Sequence, residues 1–401
     1  MKGCRVAQNP RVPEVAESAA PIAPRSRGRR RLQNLALATG TFALCTVLLE
    51  AGLRLAGYGN LEIYTPDARL YWRLKPNQDC FTKVDHKAVH INAEGTRGPE
   101  FAVEKAPGTF RILSLGDSRT FGWGLADEET YSRKGEKLVA ELLADRKLLT
   151  PALAPSDGAR EKQDRAGSPL PAGGANDGGG AHGVARPTHT RVEVINAGVN
   201  AWSYSQMAVY LREFGVRYRP DMVVLGEANL WTQFSENTDP EFVRKFLGRV
   251  RLKNLLRRFA IYHYVVEVQL QEFYQRNRTK FIPVDPKQDE LFKEQQQSDP
   301  DAVFRNAIAD VCRTARSNQI QPVLLFLPTL DDLSSTNLSP VLRAKRTISA
   351  ESGVPLVDLT PALLPEGKAL YLEADPVHFN AHGNEIVARR LFETVTHFLA
   401  P

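Results

Sequence analysis

Five short apolar runs separated by helix-length segments constrain this chain more than any other feature. They are Phe110-Arg-Ile-Leu-Ser-Leu115, Val192-Glu-Val-Ile195, Met222-Val-Val-Leu225, Val323-Leu-Leu-Phe-Leu327 and Leu356-Val357. Apolar runs this short, bounded by turn residues, read as buried strands. Between and after them the spacing becomes helical. One helix is predicted over Tyr131 to Ala144. A second is marked by Phe304, Ala307, Ile308, Val311 and Cys312, and a third runs from about Ala381 to Phe398. Strands alternating with helices imply right-handed crossovers and a parallel sheet covered on both faces. In such a sheet, sites form at the carboxyl ends of the strands.

Two insertions interrupt this plan. Residues 151–190 hold eight Gly and five Pro but no Phe, Tyr or Trp. Such a segment buries too little surface to offset its ordering entropy and reads as a disordered loop. In the helical insertion, 240–300, Leu252, Leu255, Leu256, Phe259 and Tyr262 mark an amphipathic helix with Arg251, Lys253, Arg257 and Arg258 around it. The favoured reading is a helix packed on the domain with solvated basic residues; the rival is a membrane-facing or substrate-facing lid.

Ahead of the sheet, Leu32 to Leu49 is an 18-residue stretch without a charge. At about 1.5 Å of rise per residue this sits at the lower limit for crossing a ~30 Å hydrocarbon core. Arg25, Arg27, Arg29, Arg30 and Arg31 precede it, and such a cluster stays in the cytoplasm. The reading is an uncleaved anchor over 32–57, with residues 1–31 a disordered cytoplasmic tail and the remainder beyond the inner membrane. A cleaved signal peptide is the rival, although the run is long for one and no clean small-x-small site follows it. Residues 58–107 read as an irregular lead-in with short strands, and 108–398 as the main domain.

The formal charge of +6 lies wholly within residues 1–31, and the rest of the chain is neutral. A basic tail on a neutral body points to a membrane or targeting signal and away from nucleic acid. Cys4, Cys45, Cys80 and Cys312 show neither metal-type spacing nor a disulfide framework. A bridge between Cys80 and Cys312 is possible; two lone buried thiols are the commoner outcome.

Four short stretches fall where strand ends converge. Gly116-Asp117-Ser118 follows the first strand and presents a hydroxyl beside the first N–H groups of the next helix, donors suited to a developing oxyanion. In Asn196-Ala-Gly-Val-Asn200, Gly198 allows close backbone approach and offers a second N–H. In Gly226-Glu-Ala-Asn229, the Asn229 amide is a third candidate donor. Asp375-Pro-Val-His378 precedes the last helix, so that the carboxylate can hold one ring nitrogen while the other faces Ser118.

The order and spacing of these stretches resemble the SGNH/GDSL hydrolase family over about residues 108–398, minus the insertions. Gly116-Asp-Ser-Arg-Thr-Phe-Gly-Trp-Gly124 followed by Asp127-Glu-Glu-Thr-Tyr131 is similar to a membrane-anchored bacterial branch of it, and Arg97 in Thr96-Arg97-Gly98 to that branch's lead-in motif, where a structural role is expected. The resemblance implies a flavodoxin-like α/β/α sandwich with a five-stranded parallel sheet. It also implies a Ser118 nucleophile, a His378 base with Asp375 as its partner, and an oxyanion hole of Ser118, Gly198 and Asn229. No metal or organic cofactor is implied.

One departure stands out. Where the family usually reads Gly-x-Asn-Asp, Glu227 replaces the Gly and Leu230 the Asp. An acidic group there opposes an oxyanion unless it points away or pairs with a cation. The expected function is an extracytoplasmic serine esterase or O-acyltransferase acting on ester groups, chiefly acetyl, of an envelope polysaccharide or lipid. The alternative is a non-catalytic module that binds a glycan or a partner protein on the same scaffold.

Overall fold

The computed structural model describes residues 27–82, 86–149, 189–227, 240–270, 273, 300–373 and 375–399. It divides into two compact units, one ending at Gly52 and one starting at Leu53. Helix α1 (Arg27–Leu55), most of which lies in the first, already includes Arg27, Arg29, Arg30 and Arg31 of the expected tail, so the helix starts earlier than the sequence reading placed it. Within Gly28–Leu55 an 18-residue stretch has a mean hydropathy of 1.6 and is not buried, which makes this helix long and apolar enough to cross a membrane. Most of residues 1–31 and of the insertion at 151–190 lie outside the described residues.

In the second unit the lead-in is more ordered than its sequence suggests. It forms two antiparallel hairpins, β1 (Tyr64–Asp67) with β2 (Tyr71–Leu74), and β3 (Gln78–Phe81) with β4 (Ala88–Ile91). Leu70, Trp72, Leu74, Cys80 and Ile91 from this segment are buried in the same core as the sheet. Periodicity failed here because each strand has only four residues.

The five apolar runs become β5 (Thr109–Gly116), β6 (Arg191–Gly198), β7 (Met222–Leu225), β8 (Gln321–Phe326) and β9 (Leu356–Asp358). All are parallel, in the order β6-β5-β7-β8-β9, which is the flavodoxin-like arrangement. Every residue of β5 is buried, because helices cover both faces. Leu113 and Leu115 enter one core, which α4 (Tyr204–Glu213) shares with the helices Pro300–Ser317 and Pro340–Ser352. Phe110 and Ile112 enter the other, which is closed by α3 (Tyr131–Leu149) and the helix Ala381–Leu399. Alternate side chains of one strand thus fill opposite layers.

Cys80 and Cys312 are separate buried free thiols, and burial pushes the Cys312 thiol up to about 11. Arg97 takes the structural role expected of it. Its guanidinium is buried and donates to the carbonyls of Phe121, Gly122 and Leu125 and to Asp127. It thereby fixes the loop that follows the turn at Ser118.

In the helical insertion, α5 (Pro240–Leu256) ends sooner than the pattern of Leu252 to Tyr262 implied. A short turn α6 (Ala260–Tyr262) and a π-helical stretch His263–Leu270 follow. The helix does pack on the domain, but through Val243 and Phe246 and with Asn254 bonded to the Tyr64 backbone. The leucines that revealed the helix face outward, and of the basic residues expected in solvent Arg251, Lys253 and Arg258 are exposed while Arg257 is buried.

Candidate active site

The first turn after β5 is a four-residue helix, α2 (Ser118–Phe121), capped by Asp117. Asp117 Oδ1 accepts the Arg119 N–H at 2.9 Å, and its other oxygen accepts from Arg119 Nη2 at 2.9 Å. Ser118 therefore opens the helix, where unpaired N–H groups concentrate positive potential. Two glycines let this turn sit directly on the strand ends. A Cβ on Gly198 would lie 2.3 Å from the Phe121 nitrogen, and one on Gly116 would lie 1.9 Å from Thr120 Oγ1.

The Asp375–His378 loop reaches the same point from the far end of the chain. Ser118 Oγ lies 2.7 Å from His378 Nε2, and His378 Nδ1 lies 2.7 Å from Asp375 Oδ2. Asp375 Oδ1 accepts the backbone N–H groups of Val377 and His378 at 2.9 and 3.2 Å. Burial pushes the Asp375 carboxyl up, but its bond to His378, the imidazole charge and these two N–H groups outweigh that and hold it below the usual value. The loop is pinned where Leu372 donates to the His378 carbonyl and Leu330 to that of Pro376. The Trp123 ring stacks on His378 at 5.6 Å between centroids, a neighbour that the sequence reading did not single out. His382, one turn further on, bonds Glu366 on the exposed side and takes no part.

The expected oxyanion donors fare differently. Ser118 stands at the helix start. The Gly198 N–H is instead held at 3.0 Å by Asn196 Oδ1, while Asn196 Nδ2 donates to the Thr120 carbonyl. In this structure the end of β6 is thus tied to α2 through Asn196, and the second donor is engaged. Asn229, with Leu230, lies outside the described residues.

Glu227 is described, and it resolves the departure in the third motif. Its carboxylate is 2.7 Å from Lys345 Nζ, accepts the Tyr204 hydroxyl at 2.9 Å and accepts the Leu327 N–H at 3.2 Å. The side chains of Lys345 and Glu227 are 0% and 2% exposed. The acid is neutralised in place, and the ammonium also donates to the carbonyls of Gly226 and Leu325. Burial pushes Lys345 below its ordinary value, with Glu227 opposing. Lys345 shares an inward face with Val341, Leu342, Ala344 and Ile348. A lysine within such a stripe was the available sequence signal for a buried partner.

These groups open onto a cavity of about 680 Å³. Ser118, His378, Arg119 and Trp123 line one part, and Tyr64, Trp72, Asn200 and Phe246 another. The lead-in and α5, both outside the sheet, therefore contribute to the wall of the cavity that Ser118 and His378 line. Among the described residues no cluster of three or more His, Cys, Asp or Glu could hold a metal ion.

No family model and no curated protein sequence matches the chain. Solved structures do. A lipase/acylhydrolase from Enterococcus faecalis is 14% identical, with 73% of this chain and 98% of that one covered at a TM-score of 0.36. For an acetyl xylan esterase the values are 15%, 71%, 100% and 0.36. For a GDSL-like lipase from Bacteroides thetaiotaomicron they are 11%, 72%, 88% and 0.32. These are what the chain is similar to; at TM-scores below 0.5 the functional reading rests on the chain's own geometry.

Proposed function

We propose that this chain is a membrane-anchored serine esterase or O-acyltransferase of the SGNH/GDSL type. Its catalytic body lies beyond the inner membrane and acts on ester groups, acetyl above all, of an envelope glycan or lipid. The observation that carries this reading is the continuous hydrogen-bonded line from Asp375 through His378 to Ser118 at the strand ends. In the mechanism, His378 Nε2 takes the Ser118 proton as Oγ attacks the ester carbonyl, and Asp375 holds the ring in the tautomer that leaves Nε2 free to accept. The Ser118 N–H, the Asn229 amide and, once released from Asn196, the Gly198 N–H hold the oxyanion. His378 then protonates the leaving alkoxide, and water or a sugar hydroxyl, deprotonated by the same imidazole, resolves the acyl-enzyme.

The test uses the full-length chain in detergent with p-nitrophenyl acetate and a serine-directed phosphonate. Turnover and covalent labelling are expected. Both should vanish in Ser118→Ala, with kcat lowered by about 10⁶-fold as for other nucleophile removals. A folded chain that neither turns over nor labels would replace this reading with the non-catalytic binding module.

A further inference from the structure

The inner face of α5 belongs to the cavity wall, and its outer face has a different character. Leu252, Leu255 and Leu256 are 58%, 53% and 37% exposed, and Phe259 in the following turn is 48% exposed. At 100° per residue the three leucines fall within an arc of about 100°, with Arg249 at one edge and Arg251 at the other. Arg249, Arg251 and Arg258 are all exposed. The polar residues Asn254 and Arg257 point inward, where Arg257 donates to the Glu62 carbonyl at 2.6 Å. A surface helix ordinarily turns its apolar stripe to the core. This one presents it to the outside between arginines, the arrangement of a helix lying in a lipid headgroup layer.

A second observation concerns the path of the chain. The apolar run ends at Leu49, and by Arg54 the chain is bonded to the end of this insertion helix. Arg54 Nη2 donates to the Arg258 carbonyl at 2.6 Å, and the Gly59 N–H donates to His263 Nδ1 at 2.9 Å. The Tyr58 ring packs edge-on against His263 and Tyr264. Five residues of chain span at most about 18 Å even when extended. The arginine-edged apolar face therefore belongs to a body bonded to a segment only five residues of chain beyond the apolar run.

We infer that the outer face of α5 is a docking surface for an anionic bilayer. Leu252, Leu255, Leu256 and Phe259 enter the boundary between headgroups and acyl chains, while Arg249, Arg251 and Arg258 meet lipid phosphates. This contact is additional to the α1 anchor. It rests on the membrane-anchored part of the proposed function and is independent of the ester chemistry.

The test uses the full-length chain with Cys4→Ser and Cys45→Ser, leaving only the buried Cys80 and Cys312, and with an environment-sensitive fluorophore on Leu255→Cys. It is reconstituted in nanodiscs of phosphatidylcholine with or without phosphatidylglycerol. In the anionic discs the probe is expected to shift to the blue and resist acrylamide, while the same probe on Glu393→Cys stays open to quencher. Reversing Arg249 and Arg251 to Glu should lower the docked-to-undocked ratio by about fivefold or more for each charge. A chain that washes off the discs in alkaline carbonate refutes the anchor and the docking with it. A retained chain whose probe at 255 is quenched equally in anionic discs, neutral discs and detergent refutes the docking alone. Protection that persists in detergent and grows with protein concentration also refutes it, in favour of a second copy of the chain on this face.

Discussion

Two acid–base pairs stand near one end of the sheet with the same 2.7 Å separation, Asp375 with His378 and Glu227 with Lys345. Their surroundings differ. The side chains of the first pair are 27% and 16% exposed, beside a cavity. Those of the second are sealed and bonded on several sides to backbone. A group that must take and return a proton needs a charge that can change without breaking the structure, and contact with the cavity allows that. A fully buried ion pair has no such freedom, because removing either charge strands the other in a poorly solvating interior. In the proposed mechanism the first pair does the chemistry, and the second holds β7, β8 and the turn at Ser118 in register, since the Asp117 N–H rests on the Glu227 carbonyl at 2.8 Å.

Substitutions should separate the two. Asp375→Asn is expected to lower kcat by about 10⁴-fold through the wrong imidazole tautomer, with little change in melting temperature. Lys345→Met should do the reverse in kind. It should cost about 3–5 kcal/mol of stability in urea unfolding, because Glu227 is left buried and unpaired. Glu227→Leu combined with Lys345→Met should recover most of that loss; if the double variant is as unstable as the single, the pair is not an isolated unit. Trp123→Ala should have a smaller effect. Loss of a stacked ring worth about 0.5–1.5 kcal/mol corresponds to at most about tenfold in kcat/KM.

The smallest effect concerns acid. Burial raises the Asp117 carboxyl, but Arg119 outweighs it and leaves the group below its ordinary 3.8. A lowered carboxyl stabilises the fold above the unfolded value, and that contribution disappears as pH falls through the lower folded value. Wild type should therefore lose stability below pH 3.8 more steeply than Asp117→Asn/Arg119→Met, as measured by thermal melts over an acid series. Parallel curves would remove Asp117 from the set of buried charges that matter.

Much of the site was legible because its parts are local. Gly116-Asp-Ser, Asn196-Ala-Gly and Asp375-Pro-Val-His each follow an apolar run or precede a helix, so their place at the strand ends can be read from short-range pattern. The resemblance to a known family then gave each a role. What was not legible depends on partners far apart in the chain. Glu227 and Lys345 are 118 positions apart, and neither alone announces a buried pair. The engagement of the Gly198 N–H by Asn196 depends on a side-chain rotamer, which no motif encodes. The insertion helix was recognised from its leucines, but periodicity gives the angle between two faces without saying which one the core takes.

By itself, then, the sequence determined the parallel α/β plan, the order of its strand-end motifs and the apolar run near the start. Each of these is written in contiguous residues whose hydrophobic period or turn chemistry acts locally. Only the tertiary structure decided that residue 378 meets residue 118, that a misplaced acid is neutralised, and that the lead-in and α5 wall the cavity. Those outcomes are set by long-range packing, where burial changes the energy of a charge far more than any neighbour in sequence can.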